Sequence, residues 1–332
     1  MQQSEGNQFY VNQGATVAAR DFRKVGEVTR DATVSVLTDR IPRHVASVDS
    51  NAPRLRAREG KVDIIAPPRC GASLSPRHNL LLAGLNAADY ASLVVHLDPV
   101  PLPCGFVVCH AHHNADYVYF PISGIVSILY ELEDGASMEV AVTGNDGVVG
   151  VAAFMGGGAT TSRAVVRNEG YAYRVRASVL NGEFDNSPLL RRSLLSYAQA
   201  LFTQIAQSAV CHRHHQLQKQ FCRMLLTTFD RLPTDEVALT HDAMASLLGV
   251  RRESITAAAG RLQADGLIRY HRGKITVLDR PAMEAQVCEC YGVVKNELNR
   301  LMPQVKASAS APLRISRKRH DDAAIFLGAR AS

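Results

Sequence analysis

The sequence has no tryptophan, only 6% aromatic residues, and no uninterrupted apolar run approaching the roughly 18 to 20 residues that cross a bilayer. Its opening, MQQSEGNQFY, lacks the charged-then-apolar layout of a secretory signal, so a cytoplasmic location and no membrane partner are expected. Seven cysteines in 332 residues are neither even in number nor dense enough for a secreted disulfide scaffold, and no Cys-x-x-Cys pair occurs. What is present is an ordinary globular share of apolar residues, 46%, which excludes a wholly disordered chain. The length allows two or three domains at about 100 to 200 residues each.

The formal net charge is +6, from 37 Lys and Arg against 31 Asp and Glu, but it is unevenly spread. Residues 71–187 hold five basic groups against eleven acidic ones, whereas residues 188–282 hold thirteen against seven. A polyanion repels the first block and attracts the second, so sensing is expected in the former and nucleic-acid contact in the latter.

Residues 1–74 lack sustained periodicity and close on a Pro- and Arg-rich stretch, which predicts a poorly ordered extension. Residues 304–332, rich in Ala, Ser and Arg, read as a basic disordered tail that adds nonspecific phosphate attraction. Between about Ser75 and Tyr90 short helices are expected. From Cys104 the pattern becomes short runs of Val, Ile, Tyr and Phe at 106–109, 117–120, 125–130, 138–142, 148–151, 163–167 and 171–175, separated by Gly, Asn, Asp and Pro. Asp134-Gly135 marks a hairpin. Such spacing predicts a small β-sandwich or jelly roll.

At Ser187-Pro188 the period changes to that of a helix, with Ser187 as cap, and no Pro or Gly occurs from Leu189 to Arg231. Leu190, Leu194, Tyr197, Leu201 and Ile205 recur every three or four residues in one narrow stripe. That stripe suits a two-helix dimer seam or packing on the chain's own β-domain, and the two are compatible, since one face can lie on the sandwich while the other meets a second subunit.

The most specific signal is THDAMASLLGVRRESITAAAGRL, from Thr240 to Leu262. Thr240 can cap a helix whose apolar face holds Met244, Leu247 and Leu248, and Gly249 supplies the left-handed residue of a tight turn. Small Ala245 lets the helices cross closely. The spacing specifies a helix-turn-helix, with Arg251, Arg252, Glu253, Ser254 and Thr256 at the head of the second helix, where base edges are read. Ile268 to Tyr270 and Ile275 to Leu278, joined through Arg272-Gly273, then form a wing. Thr240, His271, Arg272 and Lys274 are placed against the DNA backbone.

A β-rich sensor, one long helix and a winged helix-turn-helix, in that order, resemble the CRP/FNR family of bacterial transcription regulators. The resemblance is carried by Tyr119-Phe120-Pro121-Ile122-Ser123-Gly124-Ile125-Val126, by residues 144–150, and by Arg252-Glu253-Ser254. It implies an α+β fold: a β-roll sensor over 75–186, a dimerisation helix over 187–212, a winged helix-turn-helix over 213–282 and a C-terminal helix over 283–303. It also implies a homodimer on two-fold symmetric double-stranded DNA, with RNA polymerase as a further partner and no enzymatic activity.

The departures matter too. Cyclic-nucleotide-binding members carry Gly-Glu where this chain has Gly150-Val151, and Arg-Ser-Ala where it reads Ser162-Arg163-Ala164. Val cannot accept a ribose hydroxyl, so no cyclic AMP site is expected, although Arg163 remains available to another anion. The N-terminal cysteine cluster of iron–sulfur members is absent, with Cys70, Cys104 and Cys109 widely spaced, and Ala257 stands where an Arg would read a base. The effector is left open, and neither metal nor cofactor is assigned.

Two Cys/His groups carry side chains that can ligate a metal. Cys104, Cys109, His110, His112 and His113 are scattered by strand alternation. Cys211, His212, His214, His215 and Cys222, at the junction of long helix and DNA module, could act as a metal or redox trigger, although polar helix-end residues explain them as simply. Cys288-Glu289-Cys290 is read as helical packing. The competing functional reading is a small-molecule or metal/redox sensor whose helix-turn-helix contacts a protein partner.

Overall fold

The computed structural model describes residues 75–232 and 234–302, which belong to one compact unit. The extension over 1–74, with Cys70, and the tail over 304–332 lie outside the described residues. A 3-10 turn at Pro76–His78 leads into α1 (Leu80–Ala83) and α2 (Ala87–Val94), followed by seven strands: β1 (Asp98–Leu102), β2 (Val107–Cys109), β3 (Tyr117–Pro121), β4 (Ile125–Glu131), β5 (Ser137–Thr143), β6 (Arg163–Asn168) and β7 (Gly170–Arg176). Then come α3 (Ala177–Asn186), α4 (Pro188–His214), α5 (Leu217–Phe229), β8 (Glu236–Ala238), α6 (His241–Leu248), α7 (Arg252–Ala264), β9 (Ile268–His271), β10 (Lys274–Val277), α8 (Arg280–Gln286) and α9 (Glu289–Leu301).

Antiparallel sheets in the orders β1-β7-β3 and β2-β6-β4-β5 make the sandwich. Leu102, Tyr119, Val126, Ala164, Val166 and Ala172 close one buried layer, drawn from both sheets. On β3, alternation sends Tyr119 into that layer and Val118 and Phe120 into a second one, shared with α1, α3 and α4. Asp134-Gly135 turns β4 into β5, with the Leu132 amide donating to the Ala136 carbonyl at 2.8 Å.

Two strand expectations need correction. Residues 148–151 form a single bridge, Tyr119 to Val149, because left-handed Gly150 (φ 101°) turns the chain into a 3-10 segment at Val151–Ala153. Strand β1 was not expected, since it contains Pro99 and Pro101. It lies at a sheet edge, paired only with β7, where a missing N–H leaves the ladder intact.

Helix α4 begins as read from the sequence: the Ser187 hydroxyl accepts from the Leu190 amide at 3.0 Å and Pro188 occupies the first turn. It stops at His214 without Gly or Pro. The side-chain amide of Gln220 donates to the His215 carbonyl at 2.7 Å, satisfying a group that helix continuation would have used. Leu190, Leu194 and Tyr197 are buried against the sandwich, and Leu201 packs at the margin of the same core with Ile205 half-buried. The stripe read as a dimer seam is therefore mainly the face that α4 turns to its own β-domain. The exposed large apolar side chains of the helix are instead Leu189 near its start and Leu195, Phe202 and Val210 further along, at 38%, 45%, 56% and 48%.

Residues 283–303 are not one helix. After α8, Val287 and Cys288 are extended, and α9 then packs along α4, bringing Met302 into the core of the sensor.

In the loop before Val148, Gly147 lies close against the ring of Tyr197, whose hydroxyl bonds Thr143 at 2.8 Å. A Cβ on Gly147 would overlap that ring. Gly147→Ala is expected to destabilise the protein by about 1 to 3 kcal/mol, read as a lower midpoint in denaturant unfolding. Gly182→Ala, in open space on α3, is expected to stabilise by roughly 0.5 to 1 kcal/mol in the same assay.

Candidate nucleic-acid interface

The Thr240 hydroxyl accepts the Ala243 amide at 3.2 Å and so starts α6, which turns Met244, Leu247 and Leu248 into the core. Gly249 (φ 63°, ψ 36°) ends it in the left-handed conformation, and Arg251 is the extended N-cap residue of α7 rather than its first helical residue. Ile255, Ala258, Ala259 and Leu262 face the core. Arg251, Arg252, Glu253, Thr256 and Ala257 are exposed and Ser254 is half-buried, so the residues expected to read bases occupy one end of one helix. No side chain caps the amides at that end, which leaves a positive helix terminus beside the two Arg residues.

Several of these groups have neighbours that local sequence patterns do not show. Arg252 lies 3.5 Å from Asp242, both well exposed. The Thr256 hydroxyl bonds Nδ1 of His241 at 3.0 Å, and the His241 ring stacks on Tyr270 with centroids 4.3 Å apart. Burial pushes the His241 pKa below the ordinary value; Arg252 acts in the same direction and Asp242 against it. In the wing, Arg272 and Gly273 both take positive φ (48° and 76°), as a two-residue turn of the primed type requires. His271 and Arg272 are exposed, whereas the Lys274 ammonium pairs with Glu236 of β8 at 2.9 Å. The Thr240 oxygen already serves as the helix cap.

The module is locked onto the sandwich by buried charge. Arg231, just after α5, meets Asp146 at 2.7 Å with both side chains 9% exposed. Arg167 of β6 pairs with Glu139 of β5 at 2.9 Å and donates to the Thr228 hydroxyl of α5 at 2.7 Å; Glu139 also accepts from Ser127. At the hairpin tip, the Ser137 and Ser246 hydroxyls bond at 3.0 Å and Gly249 lies beside Met138.

A cavity of about 450 Å³ lies between the sandwich and α4, lined by Ile128, Tyr130, Val149, Gly150, Thr160, Leu201 and Phe202 among others. Its walls include no carboxylate, guanidinium or ammonium group. Arg163 is not part of the lining; it pairs with Glu131 at 2.5 Å.

Of the Cys/His groups, the first does not converge: Cys104 is exposed and Cys109 half-buried. The second is redistributed. Cys211 and His215 meet Cys288 and Cys290, while His214 is exposed and Cys222 joins the core of the DNA module. The reading of Cys288 and Cys290 as mere helical packing is thereby corrected. One is the N-cap residue of α9 and the other is in its first turn, so the short spacing brings both sulfurs to the same place.

Two family models match the sequence: a cyclic nucleotide-binding domain over residues 99–187 and a Crp-like helix-turn-helix domain over residues 219–286. Among solved structures, the chain resembles a transcriptional regulator of the CRP/FNR family from Eubacterium rectale (19% identity, TM-score 0.52, covering 63% of this chain and 98% of that one). It also resembles FixK2 from Bradyrhizobium japonicum (17% identity, TM-score 0.52, covering 58% and 98%). No curated protein matches the sequence.

Asp146→Asn leaves Arg231 buried without its counter-charge and is expected to cost about 3 to 5 kcal/mol in denaturant unfolding, while Asp146→Leu with Arg231→Met recovers part of that loss. An NMR titration is expected to place the His241 pKa below that of an ordinary histidine. Arg252→Ala should raise it and Asp242→Asn lower it further. Because the unfolded chain then takes up the proton first, the contribution of His241 to stability is lost as pH falls through the ordinary histidine range.

Proposed function

We propose that the chain is a transcription regulator of the CRP/FNR type, a reading supported by the two matching domain models, and that it works as a homodimer reading a two-fold symmetric DNA site through α7. The observation that carries this reading is the left-handed turn at Gly249, which sets an exposed Arg251, Arg252, Glu253 and Thr256 at the uncapped end of a helix held by a buried core. Arg251 and Arg252 suit guanine edges and Glu253 a cytosine amino group, with Ser254 and Thr256 orienting them. His271 and Arg272 of the wing hold phosphates. Lys274 and Thr240 contribute to the backbone contact only after yielding, in part, their present partners Glu236 and Ala243.

The dimer seam is assigned to the exposed apolar side of α4, at Leu195, Phe202 and Val210. Phe202 also lines the cavity, so a bound effector would touch the seam directly. With no carboxylate, guanidinium or ammonium in its walls, which do include the His113 imidazole, the cavity suits a largely apolar molecule, oriented by polar groups such as the Tyr130 and Thr160 hydroxyls. On this reading the protein is a regulator rather than an enzyme, and RNA polymerase is proposed as a further partner.

Selection of bound DNA from a random pool tests this. The expected product is a palindrome with half-site centres about 10 base pairs apart or a multiple of that. Glu253→Ala is expected to relax discrimination at one base pair by about 1 to 3 kcal/mol, whereas Arg272→Ala weakens all sequences alike and lowers the salt slope by about one. Equal losses on specific and random DNA for both variants would refute the assigned roles. No DNA retention at low salt would favour a sensor whose helix-turn-helix contacts protein.

A further inference from the structure

At the point where α4 gives way to the DNA module, four side chains from distant parts of the sequence converge. Cys211 is in the last turn of α4 and His215 is its C-cap residue; Cys288 is the N-cap residue of α9 and Cys290 lies in its first turn. Their sulfur and ring-nitrogen atoms all lie within 4.8 Å of one another. The three cysteines are buried, and none of their sulfurs makes a helix-capping hydrogen bond or enters the main core of either module.

The distances discriminate between the things such a group can be. A tetrahedral zinc ion, with bonds of about 2.3 Å to sulfur and about 2.0 to 2.1 Å to nitrogen, has ligand–ligand edges of roughly 3.8 Å between sulfurs and roughly 3.6 Å from sulfur to nitrogen. Here Cys211 Sγ and Cys288 Sγ are 3.6 Å apart, and Cys290 Sγ is 3.4 Å from His215 Nδ1. The four atoms are too close to enclose several irons and their bridging sulfides. A Cys211–Cys288 disulfide would leave Cys290 and His215 facing the same point without a purpose.

The surroundings match a metal site as well. His215 turns Nδ1 to the sulfurs and Nε2 to Glu289, with Oε1 at 3.4 Å, the carboxylate–histidine arrangement that fixes a ligand ring. The side-chain amide of Gln207 donates to Cys290 Sγ at 3.2 Å, as an outer hydrogen bond to a thiolate would. Arg223, buried and held by Ser208, places positive charge near Cys211. Three thiolates and a zinc ion carry one net negative charge, which that guanidinium offsets.

We propose that Cys211, His215, Cys288 and Cys290 form a closed zinc site that fastens the end of α4 to the start of α9. Soft sulfur donors in tetrahedral array select zinc over the harder divalent cations. With four protein ligands the ion has no open position, so its role is to hold the junction between sensor and DNA module rather than to react with a substrate.

The test uses the untagged full chain, purified under reducing conditions without chelator. Elemental analysis is expected to find roughly one zinc per chain. Protein stripped by chelator and titrated with cobalt(II) should show sulfur-to-cobalt charge transfer and the intense ligand-field bands of four-coordinate cobalt, saturating at one equivalent. Cys288→Ser and His215→Asn should lose the zinc and the cobalt spectrum, while Cys104→Ser keeps both. Stripping should lower the unfolding temperature of the wild type and zinc should restore it, a readout that holds even if a variant fails to fold. Less than about a tenth of an equivalent of zinc with no tetrahedral cobalt spectrum would overturn the proposal, and so would a Cys211–Cys288 disulfide in metal-free protein. DNA binding enters none of these measurements, so this site and the regulatory reading can fail independently.

Discussion

The arrangement depends on a pair of opposite charges placed where water is scarce. Arg231 and Asp146 meet at 2.7 Å between the DNA module and the sandwich. In such a place neither can stay ionised cheaply without the other, so the two modules are held in one relative position by the cost of separating them. The same loop that carries Asp146 also seats Gly147 on Tyr197, and Tyr197 belongs to α4. Sandwich, long helix and DNA module are thus clamped within a few residues of each other. Arg167, bridging Glu139 and Thr228, repeats the design a short way along the same face.

The helix-turn-helix was legible because its determinants are local: a cap, an apolar face, one left-handed glycine and a second apolar face. The β4–β5 hairpin was legible for the same reason. What escaped were features fixed by partners remote in sequence. The periodicity of Leu190, Leu194 and Tyr197 identifies a buried face, but it is indifferent to whether the covering surface is another subunit or the chain's own sandwich, and the structure supplies the sandwich. The end of α4 is marked by no Gly or Pro; it is set by a Gln side chain five residues on from the carbonyl it satisfies. His241, Thr256 and Tyr270 are drawn together by the crossing of α6, α7 and the wing, which no spacing rule encodes.

The cavity makes a related point about inherited scaffolds. The domain matches a cyclic nucleotide-binding model, and the hollow is in place between sandwich and helix, yet its walls hold no guanidinium or ammonium group to meet a cyclic phosphate. Arg163, the basic group nearest in sequence to that role, is occupied by Glu131. A fold keeps the location of a site more firmly than its chemistry, because location follows from how the elements pack while chemistry follows from a handful of side chains.

The return of the chain through α9 has an implication for biosynthesis. Met302, with Leu298 and Leu301 of α9 at its margin, completes a core otherwise built from residues 80–201. A ribosome has therefore finished the DNA module before it delivers the residue that closes the sensor. A chain that ends within the DNA module or α9 lacks the side chain that fills this place in the sensor core.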